Sequence, residues 1–289
     1  VLCNREIKFD AFLQAALKLG ADYVATGHYC RKAEETLPDG RTIHKLLAGS
    51  DPNKDQSYFL CQLSQAQLAR AMFPIGDMLK PEVRRIAAEQ QLATAKRKDS
   101  QGICFVGKVD LPLFLQQKLA PRQGDIVEIA ADWPGYAEAA ARTGLEELAL
   151  PYRYTPADGV KVGEHNGAHY YTIGQRKGLG LAMGAPVYVC GKDMQANTVT
   201  VGPEEMLFDR IVYADEVNWI AIPELTGPLR VTARTRYHQV EQAATVYPAE
   251  CGFRLEFDQP QRAPTPGQAV VLYQGDTVLG GGTITRVEK

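Results

Sequence analysis

The sequence predicts an α/β domain, a mixed central domain and a carboxy-terminal β-barrel. Helical and strand-like runs alternate in the first third, glycine becomes frequent from about Gly163, and short strand-like runs recur after residue 208. A chain of 289 residues is too long for one ordinary core. We therefore expect three domains, with boundaries at 1–108, 109–207 and 208–289.

The first domain resembles the second half of a doubly wound α/β fold. Apolar residues from Phe9 to Leu17 have helical spacing, and Gly20 is placed to end that helix. Ala21 to Thr26 is a short apolar run typical of a buried parallel strand, and ligands bind at the carboxyl ends of such strands. The turn residues 37–40 predict a hairpin.

Two further helices are predicted in this domain. Ser64 and Gln67 form a capping-box pattern, which predicts a helix through Met72. Lys80-Pro81-Glu82 predicts the start of another helix, with Ile86, Ala87 and Leu92 on one face.

The central domain is expected to mix helices and strands. We predict helices at Asp110 to Leu119 and Tyr136 to Leu150, and strands at Gly124 to Ile129, Ala185 to Cys190 and Thr198 to Val201. The barrel is predicted from six strand-like runs, which are Arg210–Ala214, Leu229–Arg236, Ala243–Tyr247, Gly252–Phe257, Ala269–Tyr273 and Val278–Val287.

Composition narrows the class of protein. No apolar run approaches the roughly 20 residues that cross a bilayer, so no membrane span is expected. Six cysteines without a Cys-x-x-Cys pair argue against a zinc ribbon and a secreted disulfide framework, and favour a cytoplasmic protein. The net charge of −2 gives no global signature of nucleic-acid binding. Val1 is not an initiator methionine, so we expect an amino-terminally truncated fragment.

Two cysteines are candidates for chemistry. Cys104 follows the cations Lys96, Arg97 and Lys98, and nearby positive charge favours the reactive thiolate. Cys3 precedes the first helix, whose dipole would act in the same way. On spacing alone, a buried structural thiol is an equally good interpretation of Cys104 and a better one of Cys3.

Several polar runs have both a functional and a structural interpretation. His28 follows Gly27 at a strand end and could face a ligand, although a satisfied surface histidine is somewhat favoured by position. The run 54–59 could present polar groups to RNA or begin an ordinary helix. The glycine- and cation-rich run 170–180 could hold a nucleic-acid backbone.

Other charged residues carry weaker signals. Arg230, Arg234 and Arg236 alternate along a predicted strand and, with Lys161, could bind phosphate, but a solvated face explains the arginines equally well. His165 and His169 have a metal-like spacing without a second ligand pair, so we predict no metal site.

Six runs, in order along nearly the whole chain, carry a specific resemblance. They are Leu2-Cys3-Asn4 with Ile7-Lys8-Phe9, then Ala25–Tyr29, Lys54–Leu60, Asp99–Phe105, Tyr171–Gly180 and Leu279–Gly282. Together they resemble the tRNA-specific 2-thiouridylase family of the MnmA/TrmU type. The resemblance implies a PP-loop ATP-pyrophosphatase domain, a central domain and a β-barrel.

The resemblance also implies a chemistry. In that family ATP, expected with Mg²⁺, adenylates the C2 oxygen of the wobble uridine in tRNA, and a cysteine persulfide filled by a donor protein then delivers sulfur. Cys104 matches the persulfide carrier and Cys3 its partner, which ends in a disulfide with Cys104. Gly27 matches a residue that touches ATP, and His28 one near the tRNA. The matches to tRNA-contacting positions are Lys54, Asp55, Gln56, Arg236, Tyr237 and Gln268.

Two departures leave rival interpretations open. The family's Ser-Gly-Gly-x-Asp-Ser loop, and an aspartate three residues before the first cysteine, would lie upstream of Val1, so the chain as written is expected to be inactive. The segment 130–162 is longer than expected and its function is unreadable. The alternatives are a tRNA-binding fragment without catalysis and another PP-loop enzyme acting on small molecules, which the Cys3 and Cys104 pair disfavours.

Overall fold

The computed structural model describes residues 1–96, 107, 109, 114, 116–130, 132–135, 138 and 156–289. They belong to two compact units. Unit 1 comprises Val1–Ser100, Tyr213–Asp258 and Pro266–Thr285, and unit 2 comprises Gln101–Val212, Gln259–Thr265 and Arg286–Lys289. The predicted helices at 110–119 and 136–150 fall largely or wholly outside the described residues. No helix of the described part is long and apolar enough to span a membrane.

Unit 1 begins with the predicted helix. Its first nine residues, Cys3–Ala11, form a π-helix that continues into α1, Phe12–Lys18. Phe9 and Leu13 are buried on its inner face. Gly20 follows with φ of +89°, a conformation that suits glycine at a helix end. The periodicity predicted the helix but not its π-helical start.

The buried strand predicted at 21–26 is shorter than expected. Only β1, Val24–Ala25, is strand, only Val24 of it is buried, and it pairs in parallel with β4, Ala71–Met72. The prediction of a helix through Met72 is therefore wrong, because α2 covers only Gln65–Ala69. Its capping box is confirmed, with the Ser64 hydroxyl accepting from the Gln67 amide and the Gln67 side chain accepting from the Ser64 amide. A helix this short has little stability of its own, so pairing with β1 decides the conformation of Ala71 and Met72.

The predicted hairpin and third helix are confirmed. The hairpin joins β2, Cys30–Thr36, to β3, Thr42–Ala48. The helix α3 spans Lys80–Glu89 with proline near its start. Leu92 lies beyond α3 and is 53% exposed, so its predicted place on the helix face is wrong.

A closed six-stranded barrel confirms the carboxy-terminal prediction. Its strands follow the order β13-β10-β11-β12-β9-β14, and β14 pairs back to β13. They are β9 Phe208–Trp219, β10 Leu229–Arg234, β11 Gln242–Ala249, β12 Gly252–Arg262, β13 Ala269–Gln274 and β14 Thr277–Glu288. Because β10 ends at Arg234, the predicted strand position of Arg236 is wrong, and Arg236 lies in the turn that follows.

One core cluster of unit 1 combines residues from the first third of the chain with residues of the barrel. Phe9, Leu46 and Leu60 pack in the same cluster as Val271 and Tyr273. The hairpin strand β3 also pairs with β14, where Leu47 is opposite Thr277. The sequence placed this hairpin in the α/β domain and gave no signal of its partner.

Unit 2 contains a four-stranded mixed sheet in the order β6-β5-β8-β7. The strands are β5 Gly124–Glu128, β6 Val160–His165, β7 Tyr188–Asp193 and β8 Thr198–Gly202. Only β5 and β8 of these pair in parallel. Ile126, Val189 and Val199 are buried in its core. The strand predictions at 124–129 and 198–201 are confirmed, whereas the strand predicted at 185–190 begins three residues later, at Tyr188.

Candidate functional site

The loop after β1 places His28 inside unit 1. His28 is 8% exposed, and its ring lies 6.0 Å from that of Phe9 and 6.4 Å from that of Phe73. Its Nδ1 lies 2.9 Å from the Thr26 hydroxyl. Burial, with a smaller contribution from Lys8, lowers the pKa of His28 to about 4. The ring is therefore neutral at pH 7, and the interpretation as a surface histidine is wrong.

Gly27 leaves an open approach to the backbone beside His28. A methyl group added there would meet only the Ile75 Cδ1 atom, at 4.0 Å. The site can therefore admit a ligand close to the main chain at the carboxyl end of β1.

Gln56 ties a second predicted run to this loop. Its side-chain Oε1 accepts a hydrogen bond from the Tyr29 backbone amide at 3.0 Å, and its backbone amide donates to the Tyr29 carbonyl at 2.8 Å. The two hydrogen bonds bring the Gly27–His28 loop and the Lys54–Gln56 loop together, although the sequence showed them only as separate runs.

Asp55 fixes the second loop from within. Its side chain is only 2% exposed and accepts hydrogen bonds from the Gly49 amide and from the amide and hydroxyl of Ser57, each at 3.0 Å. Arg234 of β10 donates to it at 2.9 Å and to Glu241 at 2.7 Å. Arg234 is thus part of a largely buried ion-pair network, and its interpretation as a solvated residue is wrong.

A cavity of about 480 Å³ opens beside this network. Asp55, Arg234, Glu241 and Tyr237 line it, together with the exposed Val240. The Tyr237 ring lies 4.2 Å from that of Phe59 at an interplanar angle of 34°. The cavity therefore offers one half-buried aromatic face beside buried charges.

Phe59 and Tyr58 form hydrogen bonds with residues that are next to the remaining predicted site residues of unit 1 in the sequence. Asn4, the neighbour of Cys3, donates its side-chain amide to the Phe59 carbonyl at 3.2 Å. The Tyr58 hydroxyl donates to the Ala269 carbonyl at 2.8 Å and to the Thr235 carbonyl at 3.4 Å. Half-buried Arg236 and Gln268 are the chain neighbours of those two carbonyl residues.

Cys3 begins the π-helix and is half-buried, whereas Cys104 lies outside the described residues. Burial raises the pKa of Cys61 to about 12 and that of Cys30 well above its ordinary value. Those two thiols are therefore poor candidates for thiolate chemistry at neutral pH.

The other charged candidates are engaged at the surface. Lys161 pairs with Asp125 and Glu164, each at 2.8 Å, and Arg230 pairs with Asp258 at 2.8 Å. Within the part of the chain described by the structure, no group of three or more potential ligands could hold a metal ion.

The sequence did not predict the contacts of several site residues. These residues are Tyr58, Phe59 and the Arg234–Glu241 pair. The aromatic pair was visible within the run 54–59, but its contact with Tyr237 spans almost 180 positions. No local pattern reveals contacts over such a separation.

Comparison with known domains gives the class. Residues 1–108 match the tRNA methyl transferase HUP domain, residues 154–203 the tRNA methyl transferase PRC-barrel domain, and residues 209–284 the aminomethyltransferase beta-barrel domain. A HUP-type domain followed by these two β domains defines a tRNA-modifying enzyme.

Comparisons over the whole of this chain identify the family. The chain is 49% identical over 299 residues to the tRNA-specific 2-thiouridylase MnmA of Flavobacterium johnsoniae, covering 99% of this chain and 75% of that protein. It is 50% identical to the protein of the same name from Christiangramia forsetii, with the same coverage, and 46% identical to that of Shouchella clausii, covering 100% of this chain and 72% of that protein. The chain belongs to the tRNA-specific 2-thiouridylase family, and the enzyme is a tRNA sulfurtransferase.

Proposed function

We propose that the enzyme transfers sulfur from a Cys104 persulfide to C2 of the wobble uridine in tRNA, in an ATP-dependent reaction that uses Cys3 as the partner thiol. The convergence on Phe59 carries the proposal. The Cys3 helix contacts the Phe59 carbonyl through Asn4, while the Phe59 ring contacts Tyr237. Phe59 therefore contacts both the start of the helix that contains Cys3 and the tyrosine that lines the cavity.

The proposed reaction has three covalent steps. The uridine C2 oxygen attacks the α-phosphorus of ATP, and pyrophosphate leaves. The terminal sulfur of the Cys104 persulfide then attacks C2, and AMP leaves with the former C2 oxygen. Finally the Cys3 thiolate attacks the Cys104 sulfur, which leaves sulfur on C2 and a Cys3–Cys104 disulfide that a thiol reductant must reopen.

The described residues are proposed to hold the substrates around these steps. The open backbone at Gly27 suits contact with ATP, and neutral His28 supports the same loop. Lys54, Gln56, Arg236, Tyr237 and Gln268 are proposed to contact tRNA. Asp55 is proposed to act through its position, because its carboxylate already accepts several hydrogen bonds.

Further elements of the proposal concern the setting of the reaction. Mg²⁺ is proposed to arrive with ATP, and no step depends on a protein-held ion. A donor protein is proposed to fill the persulfide in the cytoplasm. The domain boundaries 1–108, 109–207 and 208–289 remain our proposal. The Ser-Gly-Gly-x-Asp-Ser pattern is absent from these 289 residues, so we propose that they do not turn over alone.

Complementation tests the proposal. The chain, joined behind an amino-terminal segment that supplies the Ser-Gly-Gly-x-Asp-Ser loop, is expressed in a bacterial strain that lacks its own 2-thiouridylase, and 2-thiouridine is measured by mass spectrometry of tRNA nucleosides. We expect the wild type to restore 2-thiouridine, and Cys104→Ser and Cys3→Ser each to lose it at least about 100-fold. Cys251→Ser is the control, because that thiol is exposed on the turn between β11 and β12. Restoration by Cys104→Ser, or tRNA binding without any 2-thiouridine, would contradict the proposal.

A further inference from the structure

Unit 2 contains a cavity that the proposed reaction does not use. Its volume is about 550 Å³, within the range of small-molecule sites. The lining includes Tyr170, Tyr171, Gln123, Gln175, Asn166 and Glu164. It combines aromatic rings with amide groups and one carboxylate, and its described lining includes no lysine or arginine.

The wall of this cavity is preformed. The Gly174 amide donates to the Val189 carbonyl at 2.7 Å, and the Val189 amide donates to the Gln175 carbonyl at 2.9 Å. The Gln175 side chain accepts from the Thr172 amide and donates to the Lys177 carbonyl. Positive φ angles at Gly174, Gly178 and Gly180 give the loop its shape. A ligand would meet this surface without first ordering it.

Two aromatic side chains are fixed in the same wall. The Tyr171 ring lies 5.4 Å from that of His165, and His165 Nδ1 accepts from the Gly167 amide at 2.9 Å. Burial lowers the pKa of His165, so its ring is neutral at pH 7. The Tyr170 hydroxyl donates to the Leu119 carbonyl at 3.1 Å. Both tyrosine rings are half-buried and held in place, as a stacking surface requires.

The polar groups suit a nucleobase better than a phosphate. Lys161 and Gln123 donate to Glu164 and lower the pKa of its carboxyl, so the cavity contains a carboxylate at neutral pH. The lone pairs that remain on the Glu164 oxygens can accept hydrogen bonds from base amino and imino groups, which a phosphate group lacks. Exposed Arg176 and Lys177 lie on the same loop, where they could bind the phosphates of neighbouring nucleotides.

We propose that this cavity binds one unpaired nucleoside of the substrate tRNA, other than the uridine that receives sulfur. A base inside an A-form helix cannot enter such a cavity, whereas an unstacked base in a loop can. The inference rests on the proposed function, because the ligand belongs to the same tRNA.

A filling substitution tests the site. Asn166→Trp places a large side chain at an exposed position of the lining, and Met194→Trp places the same side chain on the turn between β7 and β8, where Met194 is 52% exposed. tRNA affinity is measured by fluorescence anisotropy, and the exposure of each nucleotide by chemical probing of its 2′-hydroxyl. We expect Asn166→Trp to weaken binding about tenfold or more and to unmask one unpaired nucleotide that the wild type protects. Met194→Trp should change neither.

A second variant keeps the test decisive if the first fails to fold. Replacing both Arg176 and Lys177 with alanine should flatten the dependence of log Kd on log salt by a slope of about 1.4. Unchanged affinity and protection in Asn166→Trp, or an unchanged salt slope, would overturn the proposal. Binding of guanosine monophosphate that is lost in Asn166→Trp, with tRNA affinity intact, would assign the cavity to free nucleotides instead. Wild-type 2-thiouridine is measured separately, so loss of sulfur transfer with this protection intact would contradict only the proposed function.

Discussion

At the scale of single residues, the site depends on buried polar groups whose partners lie far away in sequence. His28 is neutral in the fold because its environment disfavours the charged form. Asp55 accepts a hydrogen bond from Arg234, which is 179 positions away. The sequence marked both residues through their position and their family motif, but it did not predict their burial or their partners, because neither has a local signature.

His28 predicts a loss of stability in acid. Its pKa is about 4 in the fold against 6.5 unfolded, so the unfolded chain binds more protons between these values. Stability conferred by the neutral ring is therefore full above about pH 6.5 and falls as the pH drops toward 4, by about 3 kcal/mol. Urea unfolding of the wild type and His28→Asn at pH 7 and pH 4 measures this loss. The variant should lose correspondingly less, whereas equal losses in both would contradict the assignment. His238→Asn, at an exposed ring, is the control.

We expect two arginines of β10 to contribute unequally to the free energy of unfolding. Arg234→Met leaves the Asp55 carboxylate buried without its cation, which should lower the free energy of unfolding by about 3 kcal/mol. The same change at Arg230, whose pair with Asp258 is exposed, should have a much smaller effect. Chemical unfolding of both variants measures the two losses. Equal losses would contradict the prediction that the Asp55–Arg234 pair stabilises the fold.

At the scale of elements, short segments take the conformation that their neighbours impose. The sequence predicted the capping box of α2 correctly, because both side chains lie within four residues. It placed the end of α2 wrongly because β4 exists only through its pairing with β1. The six barrel strands were predicted because alternation and turn residues are local, whereas the pairing of β3 with β14 could not be.

The short 3-10 helix Ser57–Leu60 is predicted to depend on the Tyr58 hydroxyl. Tyr58→Phe removes the hydrogen bonds to the carbonyls of Thr235 and Ala269, and we expect a loss of about 1 kcal/mol in the free energy of unfolding. It should also weaken tRNA binding, because Arg236 and Gln268 adjoin those carbonyls. Thermal unfolding and tRNA affinity measure the two effects. Tyr23→Phe, at a residue 52% exposed, is the matched control and should be neutral in both.

At the scale of the whole molecule, residues from the first third of the chain and from the barrel pack in one core cluster of unit 1. The proposed boundaries separate these two regions along the sequence, and a core cluster assembled from distant segments has no local signal that would predict it. We expect Leu46→Ala and Val271→Ala, both at fully buried positions, each to cost about 2–4 kcal/mol and to shift the same unfolding transition. Hydrogen exchange followed by peptide mass spectrometry resolves this. Separate transitions for the hairpin and the barrel would contradict a shared core.

The mechanism depends on which residue carries the sulfur, and the masses of the cysteine peptides identify that residue. The protein is incubated with a persulfide donor, its cysteines are alkylated, and tryptic peptides are weighed with and without reductant. We expect one additional sulfur atom on the Cys104 peptide, or a reducible Cys3–Cys104 crosslink. If both thiols alkylate freely and neither gains sulfur, the sulfur-transfer mechanism is contradicted.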